Sequence, residues 1–132
     1  MKGFKDNIEK ETLANEHFRK VLYTGSHLQL VLMSLEAGED IGEETHPDTD
    51  QFFRFEFGSG TSVIDGHEYH VEAGDVIVVP AGAKHNIINT GTSAPLKMYT
   101  LYGPPNHQDR TIRATKEDAE KIPEKFDGKT SE

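Results

Sequence analysis

The sequence contains no cysteine. Disulfide scaffolds, thiolate metal sites and cysteine nucleophiles are therefore excluded. Basic residues are scarce: 14 Lys and Arg stand against 23 Asp and Glu, a net charge of −9. That balance disfavours phosphate backbones and anionic membrane surfaces, so neither nucleic acid nor a membrane is expected as a partner. No apolar run approaches the roughly 20 residues that span a bilayer. The opening segment MKGFKDNIEK lacks the apolar stretch of a secretory signal, and a cytoplasmic location is expected. Hydrophobic residues make up only 34% of the 132, so the core is expected to be thin or concentrated in a few strands. A chain of this length forms one domain and buries about two-thirds of its surface on folding.

What is present falls into three zones. Residues 1–17 are polar and read as an N-terminal arm, with a short helical stretch possible between Ile8 and Asn15. Residues 18–105 form the body, where short strand-like runs such as FRKVLY, LQLVLMSL, QFFRFEF and VIVVP are separated by Gly-bearing turns. Asp65-Gly66 lies between two β-rich runs and predicts a two-residue hairpin, because both turn positions need positive φ. Many short strands of this kind point to an all-β barrel or sandwich. Residues 106–132 form a polar C-terminal extension. Within it Thr115 can cap a short helix that runs to Lys121 before Pro123, and the final KFDGKTSE is expected to be mobile.

The chemistry is concentrated in two segments. The second reads Gly74, five residues, Pro80, one, Gly82, two, His85, three, Asn89. The first reads Gly38, five residues, Glu44, one, His46, four, Gln51, six, Gly58. The second segment fits one signature of the cupin superfamily without mismatch. The first fits the other signature in spacing, with Glu44 where the first histidine stands and Gln51 where the glutamate stands. The chain thus resembles a small single-domain cupin over about residues 25–105. The resemblance implies a double-stranded β-helix, or jelly-roll, barrel with short peripheral helices at both termini. It also implies one divalent metal ion (Fe, Mn, Zn, Ni or Co) held by Glu44, His46, Gln51 and His85, and association as a homodimer.

The residue pattern agrees with that ligand set. Glu44 and His46 are two apart, so on a strand they share a face, as do His85 and Ile87. Two imidazoles and one carboxylate suit non-haem Fe(II) and leave coordination positions open. Asp50 competes with Gln51 for its place, and Asp48 and Glu43 are further carboxylates in reach. Strand alternation turns Phe53 and Phe55 inward, with Ile87 beside His85, and predicts that Leu96, Met98, Thr100 and Tyr102 share an inward face. Phe53, Phe55, Ile87, Met98 and Thr100 are therefore expected to line a pocket. Tyr102 is the expected polar catalytic partner, and Glu44 is expected to serve as ligand or as general base. His67 and His70 are read as surface residues. For His107, which follows Pro104-Pro105, a surface position is preferred to a fold-back of the chain over the barrel mouth. The function expected is that of a metalloenzyme, dioxygenase-like or isomerase-like, acting on a small oxygen-rich metabolite. The alternatives are a sugar- or acid-binding module without turnover and a structural cupin with an empty barrel.

Overall fold

The computed structural model describes residues Met1–Glu132. Ten strands form two antiparallel sheets. The first has the order β10-β1-β2-β9-β4-β7 and the second β3-β8-β5-β6. The strands are β1 (Arg19–Thr24), β2 (Gln29–Leu35), β3 (Glu44–Thr45), β4 (Asp50–Phe57), β5 (Ser59–Ile64), β6 (His67–Glu72), β7 (Val76–Val79), β8 (Lys84–Ile88), β9 (Leu96–Gly103) and β10 (Ile112–Arg113). Two short helices flank them, α1 (Ile8–Ala14) and α2 (Lys116–Lys121). This is the all-β jelly roll with peripheral helices that the motifs implied. Neither helix is long and apolar enough to cross a membrane.

Local chemistry explains the boundaries. Asn7 caps α1 by accepting from the Lys10 amide, and Thr115 caps α2 by accepting from the Asp118 amide. The β5–β6 hairpin turns on Asp65 and Gly66, with φ of 46° and 82°, the left-handed pair that a two-residue turn requires. Both the hairpin and the helix at 116–121 follow the sequence pattern. The end of the chain departs from it. The Ser131 amide donates to Thr24 O, and Glu132 accepts from the Lys2 and Gly3 amides and the Tyr23 hydroxyl. The expected mobile tail is thus bonded to β1 and to the N-terminal arm. β1 itself is paired at both edges, with β2 and with β10, and offers no free edge at Arg19 and Lys20.

Registry arranges the inward face of the larger sheet in rows. Met33, Met98 and Phe55 lie side by side, then Val31, Thr100, Phe53 and Ile77. A third row holds Gln29, Tyr102, Gln51 and Val79. Val71 and Ile87 face them from the smaller sheet and complete the apolar core. The core is therefore apolar at one end and turns polar at the other, and that polar end becomes the barrel mouth. Phe55 is 0% exposed, so Phe55→Ala opens a cavity that nothing nearby fills. It is expected to cost about 3–5 kcal/mol by urea unfolding. A loss under about 1 kcal/mol would mean that the two sheets do not close on this residue.

Candidate metal centre

The centre is built by strand pairing. Glu44 and His85 are direct partners across β3 and β8, and residues opposite one another in an antiparallel pair present side chains on the same face. His46, two residues beyond Glu44, continues that face. Its carbonyl accepts from the Gly82 amide at 2.9 Å, which extends the pairing past the end of β3. Upstream, the bridge between Asp40 and Ile88 and the bond from Ile41 N to Ile87 O run one residue out of step with the Glu44–His85 pair. Gly42, at φ 109°, lies between the two registers. The offset explains why Ile41 packs on the core while Glu44, an odd number of residues later, also points inward.

The ligating atoms of Glu44, His46 and His85 all lie within 4.8 Å of one another. The donor set passes two independent checks. His85 Nδ1 donates to the Ala83 carbonyl at 3.0 Å, which fixes the tautomer and leaves Nε2 with a free lone pair. His46 Nε2 comes within 3.1 Å of Glu44 Oε2, but the approach is misaligned, and this buried nitrogen has no hydrogen-bond partner. A cation between this orphaned nitrogen and the carboxylate would satisfy both. Burial acts to raise the Glu44 carboxyl, but His46, then Arg19 and His107, draw it below the usual range. It is thus ionised at neutral pH, as a ligand must be.

The other candidates sort by position. Gln51 is buried, its Nε2 donates to Thr100 Oγ1 at 2.9 Å, and its Oε1 has no partner. Asp50 is exposed and accepts from the Ala81 amide, and Glu43 pairs with Lys84 on the surface. Neither they nor Asp48 joins the cluster. Tyr102 is buried, its ring 5.8 Å from that of His46. Phe53, Phe55, Ile87 and Met98 point inward but are packed into the filled core, and Thr100, fully buried, supports Gln51. None of these five lines the cleft at the mouth, because the barrel interior is occupied by their own side chains.

That cleft has a volume of about 260 Å³ and is walled by residues including Phe18, Arg19, Ile41, Glu44, His107 and Glu124. The sequence pattern gives no signal at Arg19 and Glu124 and favours a surface position for His107. The chain instead folds back over the mouth. Gln29 holds the fold-back in place, with Oε1 accepting from the Asn106 and His107 amides and Nε2 donating to His107 O. The Tyr102 hydroxyl stands 3.1 Å from His107 Nε2, and His107 Nδ1 stands 2.7 Å from Glu124 Oε1. A carboxylate only accepts, so Nδ1 carries the proton and Nε2 accepts from the tyrosine. Burial pushes the Tyr102 phenol above its ordinary range, so it remains a donor at neutral pH. A buried Gln in a strand and a His after Pro-Pro were the available signals, but only tertiary contact joins them.

Burial holds His107 below its ordinary value of 6.5 even with Glu124 beside it. On acidification the unfolded chain takes up that proton first, so stability falls as pH drops from about 6.5 toward the folded-state value. Glu124, where burial is outweighed by His107, lies below its ordinary 4.5 and adds a further loss at lower pH. Thermal unfolding of chelator-treated protein is expected to weaken between about pH 7 and pH 5. His107→Gln should make that decline shallower. Parallel curves for the two proteins would remove His107 as a source of the pH dependence.

Comparison with known proteins fits this geometry. The family model described as "Cupin domain" matches residues 31–102, more than half of the chain. The Bacillus subtilis (strain 168) protein named "Uncharacterized protein YrkC" is 48% identical over 124 residues, covering 89% of this chain and 66% of its own length. "Uncharacterized protein L612" of Acanthamoeba polyphaga mimivirus is 43% identical over 104 residues, covering 76% of this chain and 65% of its own. The chain thus spans about two thirds of the length of these two relatives. The crystal structure of BH2720 from Bacillus halodurans superposes with a TM-score of 0.88 at 43% identity, covering 92% of this chain and 96% of that one. With both motifs on paired strands and the family model spanning the barrel, the chain belongs to the cupin family.

Proposed function

We propose that this cupin holds one divalent metal ion through Glu44, His46 and His85 and acts on a small oxygen-rich metabolite at the barrel mouth. The observation that carries the reading is the convergence of three ligating atoms within 4.8 Å around a buried imidazole nitrogen with no other partner. Gln51 Oε1, buried and unpartnered, offers a neutral oxygen as a fourth donor. Fe, Mn, Zn, Ni and Co all accept imidazole and carboxylate. A bound ion supplies Lewis acidity and, when redox-active, activation of O2. Of the chemistries open to such a set, dioxygenase-like and isomerase-like reactions suit it best, because three protein ligands leave positions for a chelating substrate.

The chain's own residues supply the rest. Glu44 lines the cleft as well as the cluster, so it can stay a ligand or accept a substrate proton. The hydrogen bond from the Tyr102 hydroxyl to His107 fixes the Tyr102 ring, which stands beside His46. The fold-back of residues 106–124 narrows the mouth. At about 260 Å³ the cleft is below the roughly 300–1,000 Å³ of sites for drug-sized ligands, which favours a small metabolite.

A thermal-shift screen of metabolites on metal-loaded protein, followed by product analysis of the hits, tests this function. Turnover is expected for the parent and loss of it in Glu44→Ala at saturating metal. Full activity in that variant removes Glu44 from the mechanism. Hits that stabilise the parent without yielding product favour a binding module.

A further inference from the structure

Arg19 is the charged group at the cleft that metal binding leaves unused. It opens β1 on the same inward face as Val21, and its side chain is only 11% exposed. Buried guanidinium groups normally have their donors satisfied. Here the side chain makes no hydrogen bond, and Nε is buried without a partner. The Phe18 ring lies 5.4 Å from the guanidinium carbon, within cation–π range.

Its nearest carboxylate is already occupied. Glu124 Oε1 is 3.7 Å from Arg19 Nη1, close enough to balance the charge but too far to accept a hydrogen bond. Oε1 accepts from His107 Nδ1 and Oε2 from the Gln108 amide, each at 2.7 Å. The other cleft cation, Lys116, is paired with Asp40. The remaining acid, Glu120, lies at the exposed rim. Arg19 is therefore a guanidinium short of acceptors, in a cleft that also contains Glu44.

We propose that Arg19 is the recognition residue for a carboxylate. The ligand of this cleft is a small organic acid whose carboxylate pairs with the Arg19 guanidinium while a second oxygen faces the Glu44–His46–His85 cluster. The planar fork of arginine matches a carboxylate in two parallel hydrogen bonds, which a lysine cannot reproduce. The role of the second oxygen rests on the metal reading above; the carboxylate contact does not. The charges also make the two sites interdependent. Without an ion, Glu44 repels an acid; a divalent ion reverses that local charge, so metal and acid each tighten the binding of the other.

The Arg19 Nε–H resonance reports on the state of the guanidinium. In 15N NMR of zinc-loaded protein, with the signal assigned from its absence in Arg19→Lys, glycolate is titrated beside its neutral analogue glycolamide. Glycolate is expected to shift the resonance downfield in a saturable way and glycolamide to leave it in place. Arg19→Met, which keeps the apolar stem, should bind glycolate at least tenfold more weakly while retaining the zinc content of the parent. Equal response to acid and amide, or no response to either, overturns the proposal. If the protein takes up no zinc, the metal reading falls, and the same titration on metal-free protein decides Arg19 separately. Should Arg19→Met not fold, the comparison of acid with amide on the parent resonance still decides.

Discussion

The pairing of Glu44 with His85 across two short strands is the constraint on which the rest depends. It sets a carboxylate opposite an imidazole on one face, and His46 follows on that face two residues later. A slip of one residue would turn the set toward solvent. The neighbouring contacts guard the register. Gly42 N donates to Asn86 Oδ1, Ile41 N to Ile87 O, and Gly82 N to His46 O. The positive φ of Gly42 absorbs the single-residue offset that lets both Ile41 and Glu44 face the interior. The second motif works at the other end of β8. Asn89 donates to the Leu35 and Ala94 carbonyls and accepts from the Gly91 amide, which ties the end of that strand to the larger sheet.

Around this pair the barrel divides its labour. Its apolar rows supply the free energy of folding through burial, and their side chains occupy the interior. Its polar row carries Gln29, Tyr102 and Gln51, each of which is used at the mouth. Gln29 anchors the fold-back, Tyr102 meets His107 there, and Gln51 rests on Thr100 with one oxygen free. The cleft at the mouth lies between the barrel and the C-terminal extension. The extension supplies His107 and Glu124, so the domain that the motifs delimit at residues 18–105 does not contain the whole mouth.

Legibility followed the range of the interactions. The hairpin at Asp65-Gly66, the Thr115 cap and the inward face of β9 depend on neighbours a few residues away, and each was readable from pattern. The convergence of Glu44, His46 and His85 was readable because two spaced motifs constrain a known barrel. The filled interior behind Phe53, Phe55, Ile87 and Met98 was not, since alternation gives the direction of a side chain but not whether space remains in front of it. Glu124 and Arg19 were unreadable for another reason, and for His107 the fold-back was the less favoured of two readings. They are brought together by a fold-back held by Gln29, with sequence separations of 77 and 78 residues, and no local pattern encodes such a contact. The ordered tail is the same case, with Ser131 and Thr24 separated by 107.

The function proposed for the mouth requires that Glu44, His46 and His85 hold a metal ion. The decisive measurement is elemental analysis of protein purified without chelators, beside a His46→Ala/His85→Ala double variant. Close to one equivalent of Fe, Mn, Co, Ni or Zn is expected in the parent, and its loss in the variant. A parent that is empty and cannot be reloaded with any of these ions, or a variant that keeps the same content, would contradict the proposed metal site.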